Sequence, residues 1–139
     1  MTTSPRDPVL RLAVELPPSV NHSHKNALRR SIRTGRLYTA QVPTGQTMAW
    51  RAAAYHAARQ AIVATHWRPI AEGKVVVELT YFWPDRRRRD THNRIKELMD
   101  ALQVAGAFAN DCQALAREQD FRIDAERPRV EIALRRKRP

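Results

Sequence analysis

The run VVVELTYFW, from Val75 to Trp83, is the clearest strand in the chain. It consists mostly of β-branched and aromatic residues, which favour extended backbone. A helical pattern follows from about His92 to Ala105, where apolar residues recur at spacings of three and four, and Gly106 then ends the helix. A strand that leads into a helix and then into further strands predicts a mixed β-sheet packed with helices, the α+β class.

Five further segments complete the predicted order. Val9–Leu16 alternates apolar and polar residues and is typical of a strand, and two more strands are expected at about 114–123 and 129–134. An alanine-rich run from about Gln46 to Thr65 predicts the other main helix. Residues 19–42 are basic and lack periodicity, so they are interpreted as a long loop. The predicted order is therefore β-loop-α-β-α-β-β, and 139 residues are most simply one domain, residues 1–139.

Helical spacing also predicts which face of each helix packs against the sheet. For the first helix, which Pro43, Thr44 and Thr47 would start and cap, the predicted packing face is Met48, Ala52, Tyr55, Ala58 and Ile62. For the second helix it is Ile95, Leu98, Met99 and Leu102.

The charge balance indicates the class of partner. Lys and Arg number 25 against 14 Asp and Glu, a formal net charge of +11, which favours a polyanion such as nucleic acid. The chain has no apolar run long enough to span a membrane and no cleavable leader, so no membrane partner is expected. Its single cysteine, Cys112, fits a reducing compartment, and a cytoplasmic location is predicted.

The residues that carry chemistry follow the clearest strand. Four consecutive arginines, Arg86–Arg89, suit phosphate, and Asp90, His92 and Asp111 are donors of the kind that hold a divalent cation. Lys96 lies one turn into the helix and could neutralise charge that develops on a phosphoryl group. Asp111 could reach the other two donors only if the chain doubles back after the helix.

The same residues also fit purely structural roles, with no metal site, and this alternative stays open. Asp90 can be a plain helix cap, His92 a surface residue of the first turn, and Lys96 with Asp100 an exposed pair at helical spacing. The arginine run can be a solvated turn.

A resemblance to a known family adds to this picture. Residues 83–113 resemble the central motif of the RusA family of Holliday-junction resolvases, which runs P-D-R-R-x-R-D-x-D-N, then x-x-K, D-A-L, G and D-D-x-Q. The segment Pro17-Pro18-Ser19-Val20-Asn21 resembles the family's amino-terminal P-P-S-x-N, and Gly35-Arg36-Leu37-Tyr38 resembles its next segment. In the central motif, the matching residues here are Pro84, Asp85, Arg86, Arg87, Arg89, Asp90, Asn93, Lys96, Asp100-Ala101-Leu102, Gly106, Asp111 and Gln113.

The resemblance implies a homodimeric, metal-dependent endodeoxyribonuclease that resolves four-way (Holliday) DNA junctions by paired nicks in recombination and repair. It implies metal-binding acids at Asp90 and Asp111, a catalytic lysine at Lys96, and Mg²⁺ as the cofactor. Branched DNA would contact the motif and the basic loop. The expected nucleic-acid-binding residues are Arg86, Arg87, Arg88, Arg89, Asn93, Lys25, Arg29, Arg30, Arg33 and Arg36.

Two positions depart from the family pattern. His92 stands where the family has its second metal-binding acid, and histidine favours borderline cations such as Mn²⁺. Asn110 stands where the family often has an acid. These departures leave open a catalytically weakened junction-binding module of the same fold, and the net charge alone leaves open an RNA-associated basic protein.

Overall fold

The computed structural model describes residues 8–19, 24–69, 72–89 and 91–138, and of Asn93 only the backbone. Asp90, Val20 and Asn21 therefore lie outside the described residues. The helices are α1 (Gly45–Thr65) and α2 (His92–Ala105), and a short 3₁₀ turn spans Asp111–Gln113. The strands are β1 (Leu10–Val14), β2 (His24–Arg30), β3 (Leu37–Pro43), β4 (Val75–Trp83), β5 (Ala114–Ile123) and β6 (Arg129–Arg136).

The main sheet has four strands in the order β1-β6-β4-β5. β6 pairs antiparallel with both β1 and β4, whereas β4 and β5 are parallel. Parallel neighbours need a crossover connection, and α2 supplies it. Because Val75 at the start of β4 pairs with Ala114 at the start of β5, α2 must run back along the sheet between them. The mixed sheet and the α+β class predicted from the sequence are confirmed.

The core lies between one face of this sheet and the two helices. Alternate residues of β4, among them Val77, Leu79 and Tyr81, point into it and are fully buried. Leu98 and Leu102 of α2 pack against them, as the helical spacing predicted, while Ile95 and Met99 are partly buried at its margin. Gly106 adopts a left-handed conformation with φ of 92° and ends α2, which was also expected.

The face of α1 that packs inward is rotated from the predicted one. Thr44 caps the helix as expected, because its side chain accepts a hydrogen bond from the Thr47 amide. Met48 is 55% exposed, whereas Trp50 is 6% exposed and donates from Nε1 to the Glu15 carbonyl at 2.7 Å. An alanine-rich helix has little contrast between its faces, so the tryptophan decides the orientation. The buried residues are Thr47, Trp50, Ala54, Ala58 and Ile62.

The loop interpretation of residues 19–42 is wrong for most of its length. β2 and β3 pair antiparallel over seven residues each, from His24↔Pro43 to Arg30↔Leu37, and form a separate two-stranded sheet. Most of their side chains are exposed, so no alternation of apolar and polar residues marks them as strands. The observed order is thus β-β-β-α-β-α-β-β. In the described part of the chain, neither helix combines the length and apolarity needed to cross a bilayer.

Candidate active site and nucleic-acid interface

The connection between β4 and α2 is ordered by Asp85. Its carboxylate accepts a hydrogen bond from the Arg87 amide at 2.9 Å and pairs with Arg89 Nη2 at 2.7 Å. The Arg87 amide, followed by the Arg89 guanidinium, holds the pKa of Asp85 below its usual value. Arg89 Nη1 also donates to two carbonyls of the loop. The arginine run therefore divides into an inward Arg89 and an exposed group, Arg86, Arg87 and Arg88.

Trp83, the last residue of β4, contacts arginine side chains from this loop and from α2. The guanidinium carbons of Arg89 and Arg94 each lie 5.2 Å from the centroid of its ring. Tyr81 stacks on the same ring, with centroids 5.1 Å apart and planes 11° apart. Indole is the ring that attracts cations most strongly, so two arginines can be held beside it. The start of α2 is thereby fixed to the end of the clearest strand.

Arg94 also reaches the amino-terminal motif. Its Nε donates to the carbonyl of Pro17 at 3.1 Å, and both Pro17 and Pro18 are buried. Two of the segments that resemble the family are thus in direct contact, through residues 77 positions apart in sequence. No local sequence pattern predicts a role for Arg94, because its contacts depend on the fold.

The first two turns of α2 present two of the predicted site residues. His92 and Lys96 are both exposed and lie four positions apart, so they share one face of the helix. Thr91 is the N-cap residue, and its carbonyl accepts from the Arg94 and Ile95 amides. Asp90, predicted as a cap and as a metal ligand, and the side chain of Asn93 lie outside what the structure describes.

Asp111 lies at the opposite end of α2. It is exposed and opens the 3₁₀ turn that leads into β5. The side chain of Asn110 accepts from the Cys112 amide at 3.0 Å, while the Asn110 amide donates to Gln113 Oε1 at 3.1 Å. Asn110 therefore acts as a cap that orients the turn carrying Asp111.

His92 and Asp111, two of the three predicted metal ligands, lie at opposite ends of α2. His92 follows the end of β4, whereas Asp111 precedes β5 beside the start of β4. The 14 residues of α2 between them rise by about 20 Å. Among the residues that the structure describes, no group of three His, Cys, Asp or Glu side chains could hold a metal ion. Carboxylate and imidazole donors suit a divalent cation chemically. Within one chain, however, His92 and Asp111 are too far apart to bind the same ion.

An ion pair between the helices holds α2 in place. Arg51 of α1 donates to Glu97 of α2 from Nε at 3.0 Å and from Nη2 at 2.8 Å, a bidentate arrangement. Glu97 is 9% exposed, and its carboxylate raises the pKa of Arg51. These residues are 46 positions apart, and helical spacing placed Arg51 off the packing face, so no local sequence pattern predicts the pair.

Basic residues form two surfaces besides the arginine run. The hairpin of β2 and β3 carries Lys25, Arg29, Arg30, Arg33 and Arg36, all exposed and all predicted as nucleic-acid contacts. A second group surrounds a depression on the sheet face away from the helices, together with Val9 and Val76. This second group, the carboxy-terminal basic patch, consists of Arg117, Arg135, Arg136, Lys137 and Arg138. Strand register brings Arg117 to these terminal cations.

The fold and these surfaces define an α+β protein with a basic exterior, and comparison with known proteins supplies its family. The family described as endodeoxyribonuclease RusA matches residues 15–135, so the chain belongs to that family. No curated protein matches the chain. Among solved structures, the chain is similar to 2C-methyl-D-erythritol 2,4-cyclodiphosphate synthase from Plasmodium vivax at 11% identity, covering 94% of this chain and 99% of that one. The TM-score of 0.33 is too low for that likeness to carry an argument.

Proposed function

We propose that this chain is a divalent-metal-dependent endodeoxyribonuclease that resolves four-way DNA junctions by paired symmetrical nicks, in recombination and repair. The family match over residues 15–135 is the observation that carries the proposal. The order of Asp90, Lys96 and Asp111 within the matched segment supports it further. We also propose that residues 1–139 form one endonuclease domain that acts on DNA in the cytoplasm.

The separation of His92 from Asp111 supports a homodimer whose active sites are shared. Since about 20 Å of helix lies between these two residues in one chain, we propose that Asp90 and His92 of one subunit act with Asp111 of the partner subunit. A two-fold dimer then has two such sites, one for each strand of a near two-fold-symmetric junction that must be cut.

Each protein group has a distinct task in the proposed reaction. Asp90, His92 and Asp111 would hold Mg²⁺, or Mn²⁺ because of the histidine, and the ion would polarise the scissile phosphate and activate water. Lys96, on the same helical face as His92, would neutralise charge on the phosphoryl oxygens. Arg86, Arg87 and Arg88 are exposed beside that helix end and would bind flanking phosphates, with Asn93 next to them in sequence.

A binding module of the same fold is the second candidate. His92 supplies no negative charge, and Asn110 uses its side chain to cap the turn of Asp111. A site with two fewer carboxylates than the family pattern would hold a divalent ion more weakly. Such a protein would bind junctions without cutting them.

Cleavage of a labelled four-way junction, with a linear duplex beside it and with Mg²⁺ and Mn²⁺ in parallel, tests the proposal. Wild type, His92→Asp and the matched control His56→Asp, an exposed histidine of α1, are compared. Paired nicks in the junction alone by wild type and by the control support the enzyme. Cutting by His92→Asp alone would mean that the scaffold is disabled at that ligand. Junction binding by all three with no cleavage would support the binding module.

A further inference from the structure

The tip of the β2–β3 hairpin is a closed turn with an apolar residue at its apex. The Ser31 amide donates to the Arg36 carbonyl at 2.9 Å, and the Gly35 amide donates to the Ser31 carbonyl at 2.8 Å. Gly35 has a φ of 70°, a conformation that other residues rarely adopt. Ile32 lies inside this turn and its relative exposure is 105%, the highest of the exposed large apolar residues in the described chain.

Cations surround this apolar apex. Arg33 and Arg36 belong to the same turn, and Arg30 is fixed against it because its Nη1 donates to the Gly35 carbonyl at 2.8 Å. Residues 24–43 carry five Lys and Arg and no Asp or Glu. A second hairpin of the same kind would be repelled by this charge, whereas a polyanion would be attracted. The surface chemistry therefore favours nucleic acid as the occupant.

The dimensions of the hairpin suit a DNA groove. Each strand has seven residues, so the arm is about 20 Å long. A two-stranded ribbon fits the major groove of DNA, which is about 12 Å wide. The arm is joined to the body at Pro43, directly before the Thr44 cap of α1, so its tip lies far from its attachment.

We propose that Ile32 is a wedge that inserts between base pairs at the branch point of a DNA junction while Arg30, Arg33 and Arg36 hold the adjacent phosphates. Apolar side chains that enter a base step unstack it and kink the duplex, which costs stacking energy. At a branch point stacking is already interrupted, so insertion there costs less than in a continuous duplex. The wedge would thus favour branched over linear DNA. This inference rests on the proposed function, because it assumes that the chain binds junctions.

Fluorescence of 2-aminopurine tests the wedge, because the base brightens when it is unstacked. Two four-way junctions carry the probe, one at the branch point and one in the middle of an arm, and the full chain is added without divalent metal so that no cutting occurs. Ile32→Ser is compared with Val63→Ala, which truncates a residue of α1 that is 63% exposed. Thermal unfolding of each variant checks folding, which neither exposed substitution should alter.

Wild type and Val63→Ala are expected to brighten the branch-point probe at saturation and to leave the arm probe unchanged. Ile32→Ser should leave the branch-point probe at the level of the free junction and bind about three- to tenfold more weakly, since the cost of unstacking offsets much of the gain from apolar burial. An undiminished signal from saturating Ile32→Ser would overturn the wedge.

Three further outcomes separate the wedge from the proposed function. Wild type that binds the junction without brightening the probe overturns the wedge and leaves the nuclease proposal standing. Wild type that does not bind the junction overturns both. If Ile32→Ser instead changes the oligomeric state in sedimentation and not the fluorescence, the tip packs against another copy of the chain and the wedge is wrong.

Discussion

The two ends of α2 differ in how they are held and in what they present. At the amino-terminal end, Trp83, Arg89 and Arg94 fix the helix to the sheet, and His92 and Lys96 stand exposed beyond them. At the carboxy-terminal end, Asn110 and Gln113 order a short turn that carries Asp111. Each end presents only part of the predicted catalytic set. If these residues act together, as we propose, a complete site combines residues from two copies of the chain.

The largest effect is expected when a catalytic group is removed at either end. Lys96→Ala and Asp111→Asn should each lower junction cleavage by about 100-fold or more, since the first would remove the cation that neutralises the phosphoryl oxygens and the second a ligand of the metal ion. Junction affinity, measured by gel shift without metal, should change little. Asp100→Asn, an exposed carboxylate on the same helix, is the control and should cut normally. A large loss of affinity in Lys96→Ala would assign that residue to DNA binding.

The next effect concerns the ion pair that holds the helix between its two ends. Glu97→Ala leaves Arg51 partly buried without its bidentate partner, so the free energy of unfolding should fall by about 1–3 kcal/mol. Urea unfolding measures this loss. Glu72→Ala, an exposed glutamate in the loop before β4, should change stability little. If the two variants are equally stable, the pair does not fix α2.

Substitutions in the arginine run should distinguish arginines that bind DNA from the arginine that stabilises the fold. Arg86→Ala combined with Arg87→Ala should reduce the slope of log affinity against log salt by about two, because each lost phosphate contact releases about one fewer counterion. The melting temperature should not change, since both side chains are exposed. Arg89→Ala should instead lower the melting temperature, because Arg89 pairs with Asp85 and stacks on Trp83. An unchanged salt slope in the double variant would remove those arginines from the interface.

The smallest expected effect is the contribution of Asp85 to the pH dependence of stability. Its pKa in the folded chain lies below its usual value, so its contribution to stability is present at neutral pH and is lost as the pH falls through that lowered pKa. Asp85→Asn should therefore melt at a slightly lower temperature than wild type at pH 7, and the difference should shrink below about pH 4. Glu126→Gln, in the β5–β6 turn, controls for the loss of one charge. A difference that is constant with pH would contradict this assignment.

The elements that could be predicted from the sequence are those with strong local patterns. β4, α2 and Gly106 were placed correctly because their patterns are strong and local: a run of β-branched and aromatic residues, an apolar stripe and a helix-ending glycine. The hairpin was missed because its strands bury almost nothing and are held by their own ladder. Apolar periodicity cannot reveal such strands.

Contacts between distant segments also could not be predicted from the sequence. The predicted site residues were chosen by type and order, and the helix start at His92 was correct. Their separation along α2, the Arg51–Glu97 pair and the grouping of Arg117 with the terminal cations all depend on how the chain crosses over between parallel strands. Strand register and crossover direction decide these contacts, and no local sequence pattern predicts either of them.

Mixing two inactive variants tests the shared active site most directly. Asp90→Asn and Asp111→Asn are unfolded and refolded together, and junction nicking is measured against each variant alone. If a site combines Asp90 of one subunit with Asp111 of the partner subunit, each mixed dimer has one intact site, and about a quarter of all sites recover. A shared active site predicts this recovery, as single nicks. No recovery in dimers shown to be mixed would place both residues in one subunit's site and contradict the account.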